Sequence, residues 1–83
     1  MDARTTWPAL LGALIRGHAL TADEAEWAMD EIMEGAATPS QIAGFGVALR
    51  IKGTSVAEMT GLARSMLAHA TPIDLPGQLK IGL

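Results

Sequence analysis

The sequence predicts an all-α fold, a small bundle of four helices followed by an irregular C-terminal tail. Three stretches fit the capping-box pattern, in which a Ser or Thr caps a helix and a Glu or Gln three residues later reaches back to it. Glycines shortly before these starts suit the left-handed residue that ends a helix. The starts are TADE (21–24), TPSQ (38–41) and SVAE (55–58), and the glycines are Gly17, Gly35 and Gly53. The predicted helices span about 6–16, 22–34, 39–52 and 56–70.

Three of the four helices carry an apolar stripe at helical spacing, which we interpret as ordinary core. The first helix opens at TTWP, and the linkers of three to five residues predict that sequential helices pack together. The stripes are Trp7, Leu10, Leu11, Leu14 and Ile15 in the first helix, Ala25, Ala28, Met29, Ile32 and Met33 in the second, and Val56, Met59, Ala63, Met66, Leu67 and Ala70 in the fourth. Trp27 lies opposite the second stripe, so it is either an exposed Trp or a contact to a segment outside the bundle.

The third helix has two apolar faces, and four short helices cannot cover both. Ile42, Phe45 and Leu49 define the face that we assign to the core. Gly44 and Gly46 each cost about 1 kcal/mol relative to Ala in a helix interior. Either they allow another backbone to approach closely, or tertiary contacts simply override their low propensity. We predict an interface formed by Ser40, Gly44, Val47 and Ile51, with Trp27 as a further contact, and a homodimer through the third helix.

Composition excludes several partners and is consistent with an interaction module. The 83 residues allow one small domain, and 49% of them are hydrophobic, so apolar surface should remain for an interface. The net charge of −3 and the lack of a basic cluster argue against nucleic acid. No apolar run approaches the roughly 18 residues of a membrane span. The absence of cysteine fits a cytoplasmic location, which we expect.

The residues offer little catalytic chemistry. His18 and His69 are far apart in sequence, and His69 near a helix C-terminus suits the helix dipole. The acidic residues of the second helix are interpreted as its solvated face. No phosphate-binding glycine loop, nucleophile triad or metal motif is present. We therefore predict no catalytic, cofactor-binding or metal residues in this chain, and the residues by themselves indicate a helical interaction or dimerisation module.

The sequence of residues 6–70 nevertheless resembles that of the N-terminal helical domain of anthranilate phosphoribosyltransferase, in glycosyltransferase family 3. The most specific parts are LTADEAEWAMDEIMEGAATPSQIAGF (20–45) and ALRIKG (48–53). Pyrimidine nucleoside phosphorylases begin with the same kind of domain, but EAEWAMDEIM and TPSQIA favour the anthranilate enzyme. The resemblance implies phosphoribosyl transfer from phosphoribosyl pyrophosphate to anthranilate, with magnesium, in tryptophan biosynthesis.

The resemblance also implies a homodimer joined through helical domains, with an active site in the cleft toward a large α/β domain. The tail TPIDLPGQLKIGL (71–83) lacks the glycine loop of that domain, so none of the family's substrate or magnesium residues can be carried over. We therefore expect residues 1–70 to form the dimerisation domain and 71–83 a tail or linker toward an α/β domain outside this chain. The isolated chain should be inactive. The alternatives are a stand-alone interaction module and the matching domain of a pyrimidine nucleoside phosphorylase.

Overall fold

The predicted four-helix architecture is confirmed in the computed structural model, which describes residues 5–70. The helices are α1 (Trp7–Ile15), α2 (Ala22–Met33), α3 (Pro39–Lys52) and α4 (Val56–His69). No boundary differs from the sequence prediction by more than one residue, and no strand occurs among the described residues. The predicted irregular tail, 71–83, lies outside the described residues.

The helix ends are formed by the local signals that the sequence carries. In the capping box of α2, Glu24 N–H donates to Thr21 Oγ1 at 3.1 Å and Thr21 N–H donates to Glu24 Oε1 at 2.9 Å. The same reciprocal pair starts α3 and α4. The three glycines after α1, α2 and α3 have φ between +76° and +89°, a region that favours glycine. Each helix boundary is therefore determined by residues that lie within a few positions of it in the sequence.

The main packed pairs are α2 with α4 and α1 with α3. Helices α2 and α4 run parallel, since three successive contacts advance together along both helices: Ala25 faces Gly61, Asp30 bonds to Ser65, and Glu34 contacts His69. The prediction that sequential helices form the packed pairs is therefore wrong. A short linker brings two helix ends together, but the shapes of the facing surfaces decide which helices pack along their length.

The apolar core is centred on Trp7, which joins three helices. Its ring centroid lies 5.4 Å from that of Trp27 on α2 and 5.7 Å from that of Phe45 on α3, the latter nearly perpendicular. Each such pair contributes about 0.5–1.5 kcal/mol beyond the burial of its area. The buried apolar residues are Trp7, Leu10, Leu14, Leu20, Ala25, Ala28, Phe45 and Leu49.

The predicted core stripe of α4 is wrong, because α4 turns a different face toward α2. The buried residues of α4 are Glu58, Gly61 and Ser65. A Cβ on Gly61 would lie 2.8 Å from Ala25 Cβ and would clash with the carbonyl oxygen of Ala22. Small side chains thus bring the α4 backbone against α2, and of the larger apolar side chains of α4 only Leu62 packs against the core, while the others face outward. Ile15, Met33 and Ile42, also predicted as core, are exposed.

Glycine-to-alanine substitutions should distinguish the close contact from an open position. Gly61→Ala should destabilise the chain by about 3 kcal/mol, since overpacking against backbone cannot relax by a side-chain rotation. At Gly46 an added Cβ would meet nothing within 4 Å, so this position is the matched control, and Gly46→Ala should stabilise by up to about 1 kcal/mol. Urea unfolding followed by circular dichroism measures both. Equal effects of the two substitutions would contradict the packing described for α4.

Candidate interaction surfaces

The α3 surface, defined as Ser40, Gly44, Val47 and Ile51, lies largely in solvent. Val47 is 59% exposed and Ile51 82% exposed, which is unusual for large apolar side chains on one helix. Gly44 is half-buried at the edge of this surface, where a Cβ would meet the Leu11 side chain of α1 at 3.9 Å. Within the chain, Gly44 therefore borders a side chain and not a second backbone. A backbone approach from another copy stays a prediction.

Trp27 lies in a different environment from the one expected. It is half-buried, and its ring packs against Trp7 at the edge of the core. The prediction that it points away from the bundle is wrong, because α1 crosses near the flank of α2 on which Trp27 sits. A contact between its exposed part and a further segment remains a prediction.

A second apolar surface, which the sequence did not identify as a site, runs along α4. The α4 surface is defined as Val56, Met59, Met66 and Leu67, and the exposed fractions of these side chains are 78%, 52%, 48% and 76%. Ala63 and Ala70 of the same stripe are exposed too. The signal available in the sequence was the competing stripe of Glu58, Gly61 and Ser65 at i, i+3 and i+7, whose small members allow close helix packing.

A buried carboxylate joins the connections between the helices. Glu58 is fully buried, and its Oε2 accepts from Leu20 N–H in the α1–α2 linker at 2.7 Å. Its Oε1 accepts from Ser55 N–H at 2.8 Å and from Lys52 Nζ at 2.7 Å. Burial alone would raise the pKa of Glu58, but the hydrogen bonds from Lys52, Leu20 and Ser55 outweigh it and lower the pKa below 4.5. The carboxylate is thus a structural acceptor with its charge compensated.

The side chains of the described residues do not assemble a metal centre. Across residues 5–70, no group of three or more His, Cys, Asp or Glu side chains is placed to hold a metal ion. No helix in that part of the chain is long and apolar enough to cross a membrane. His18 is exposed in the α1–α2 linker, and His69 lies at the end of α4. The candidate interaction features described within residues 5–70 are the two exposed apolar surfaces.

The four helices, with their capped starts and two outward apolar surfaces, form a helical bundle of a known class. Residues 8–70 match the family described as "Glycosyl transferase family, helical bundle domain", and the chain belongs to this family.

The curated relatives are named more specifically. The chain is similar to an anthranilate phosphoribosyltransferase from Arthrobacter sp. (strain FB24), 63% identical over 76 residues that make up 92% of this chain and 22% of the relative. Proteins of the same name from Streptomyces griseus and Thermobifida fusca are 58% and 60% identical, over 92% and 87% of this chain. The chain spans about a fifth of the length of these relatives.

Removing the charge of Glu58 should lower the free energy of unfolding and should also make that free energy less sensitive to acid. Glu58→Gln keeps the shape but replaces charge-assisted bonds, so the free energy of unfolding should fall by about 2 kcal/mol. The folded pKa is lowered, so the stabilisation is present above pH 4.5 and is lost as pH falls through the folded pKa.

Urea unfolding at pH 7 and at pH 4 or below measures this stabilisation. The gap between wild type and Glu58→Gln should shrink in acid. Glu31→Gln is the control, because it removes a half-exposed carboxylate of α2. Its free energy of unfolding should stay within about 0.5 kcal/mol of the wild-type value. A pH-independent gap would argue against the ionised network.

Proposed function

We propose that this chain is the helical dimerisation and cleft-forming domain of an anthranilate phosphoribosyltransferase-like enzyme. Such an enzyme moves the phosphoribosyl group from phosphoribosyl pyrophosphate to the amine of anthranilate, in cytoplasmic tryptophan biosynthesis. The observation that carries the proposal is the 63% identity, over 92% of this chain, to a relative with that name. The chain itself supplies assembly surfaces, and the α/β domain of the enzyme supplies the chemistry.

The two apolar surfaces support this role, since each needs a partner. They lie on different helices, and α3 and α4 belong to different packed pairs. We assign the α3 surface to a second copy of the chain, because a two-fold contact buries one patch against its own copy. We assign the α4 surface to the α/β domain, which would account for large apolar side chains that the bundle leaves in water.

Magnesium and the diphosphate group belong, in this proposal, to the α/β domain. Binding them requires oxygen ligands around the ion and donors aimed at the leaving group. The carboxylates described in residues 5–70 do not form such a cluster, and Glu58 is already bonded to three donors. No step of the reaction is therefore assigned to these helices, and the 83-residue chain alone should not form phosphoribosyl anthranilate.

A chimeric enzyme tests the assigned function. The matching 76 residues of the Arthrobacter relative are replaced by those of this chain, and magnesium-dependent formation of phosphoribosyl anthranilate is measured. We expect activity close to that of the parent, because the surfaces that meet the α/β domain are of the same family. The relative with this segment deleted is the negative control.

Two outcomes would contradict the proposal. One is a folded chimera that is inactive while the parent relative is active under the same conditions. The other is catalysis by the 83-residue chain alone, which would place the chemistry in the helices. If the chimera fails and the chain binds an unrelated protein, the stand-alone interaction module becomes the better interpretation.

Charged substitutions test the dimer assignment in the isolated chain. Val47→Glu or Ile51→Asp places an unpaired charge in the proposed contact, which should weaken association by about 3 kcal/mol, on the order of a hundredfold in Kd. Leu67→Glu, on the α4 surface, is the matched control and should leave the dimer intact. Sedimentation equilibrium gives the assembly state, and circular dichroism checks that each variant stays helical. A monomeric wild type at high micromolar concentration would exclude the contact.

A further inference from the structure

A cluster of polar side chains joins the C-terminal turns of α2 and α4. The ring of His69 lies between two carboxylates of α2: its Nε2 is 3.2 Å from Glu34 Oε2, and its Nδ1 is 3.5 Å from Asp30 Oδ1. The same Nδ1 lies 2.9 Å from the carbonyl oxygen of Ser65, one turn back along α4. The fully buried Ser65 Oγ donates to Asp30 Oδ1 at 2.5 Å. These contacts span the last two turns of both helices.

Both ring nitrogens of His69 face hydrogen-bond acceptors, and only the doubly protonated ring can donate to both of them. The carbonyl oxygen of Ser65 accepts from Nδ1–H, so Nε2 must also carry a proton to donate to Glu34. A neutral imidazole has only one N–H, and one nitrogen lone pair would then face an oxygen lone pair. The cationic ring also suits the C-terminus of α4, where the helix dipole is negative.

Among residues 5–70, the other charges near this cluster do not supply a competing cation. Helix α2 is the one that packs along α4, and its groups facing His69 are Asp30 and Glu34. On α4 itself, Arg64 lies 3.7 Å from Asp23 and 3.9 Å from Glu26, toward the N-terminal half of α2. The cluster around His69 is therefore a site for one proton between two helix ends.

We propose that His69 is a protonation-dependent latch that holds the last turn of α4 against α2, so that the ordering of this turn changes with pH near neutrality. When the ring is cationic, it bridges Glu34, Asp30 and the Ser65 carbonyl, and the turn is closed. When the ring loses its proton, one of these bonds is lost and the turn opens more often. The latch controls how firmly α4 is held up to Ala70, the last residue that the structure describes. This inference does not rest on the proposed enzymatic function.

The direction of the pH effect follows from the contacts of His69. The hydrogen bond to the Ser65 carbonyl, followed by the bond to Glu34, raises the pKa of His69 above 6.5. A raised folded pKa means that the stabilisation is fully present below pH 6.5. It is lost as pH rises through the folded pKa. The last turn of α4 should therefore be most protected in mildly acidic solution and less protected above neutrality.

Nuclear magnetic resonance of the 83-residue chain tests the latch directly. The chain has two histidines, and His69→Gln removes one set of imidazole signals and so assigns the titration. We expect the His69 midpoint to lie above 6.5, and the amide protection factors of residues 67–69, corrected for intrinsic exchange, to fall through the same pH range. Linkage requires the two results to agree, since the loss of protection across the titration equals the ratio of the acid dissociation constants of His69 in the open and the closed turn.

Two variants separate the latch from a passive contact. Glu34→Gln should lower the His69 midpoint and reduce the pH dependence of protection, whereas Glu31→Gln on the same helix should change neither. His69→Gln should make protection of the last turn independent of pH between 6 and 8. The latch is excluded by a His69 midpoint at or below 6.5, or by protection that does not change while the ring titrates.

Discussion

The structure depends on one buried carboxylate. Glu58 caps its own helix through Ser55, receives Lys52 from the end of α3, and accepts the Leu20 amide from the α1–α2 linker. Each donor lies in a different segment, so this single side chain fixes where α4 begins relative to the rest of the chain. A buried carboxylate is tolerated only when its charge is matched by such donors, and loss of one partner leaves the others unsatisfied. The register of α4 against α2 follows from this anchor.

Close packing beside that anchor explains why a small chain leaves so much apolar surface in water. Gly61 brings α4 against the Ala22–Ala25 turn of α2, and Ser65 continues the narrow face toward Asp30. Most of the large apolar side chains of α4 then face outward, as do Val47 and Ile51 on α3. When a helix packs through its small residues, its large apolar side chains stay exposed. Burying them against a further partner would then be favourable, because apolar surface gains free energy on leaving water.

The candidate surfaces were only partly accessible to sequence reasoning. Val47 and Ile51 could be identified, because a helix that is apolar on two opposite sides cannot be covered by three short neighbours. The α4 surface was missed because its stripe from Val56 to Leu67 has the spacing of a core face, and periodicity shows that a face is apolar without showing what covers it. The apolar spacing of α2 places Trp27 outward for the same reason, since the approach of Trp7 from α1 is not encoded in that spacing.

The sequence by itself determined the helices, their ends and the family. Capping boxes and left-handed glycines act through atoms within four residues, so Thr21, Thr38 and Ser55 specify their helix starts wherever the chain goes next. Only the tertiary structure decided that α2 pairs with α4, that Glu58 reaches Leu20 across 38 residues, and that His69 meets Glu34. These contacts depend on how well whole helix surfaces fit each other in three dimensions. The fit between segments that are distant in sequence leaves no local pattern in the chain.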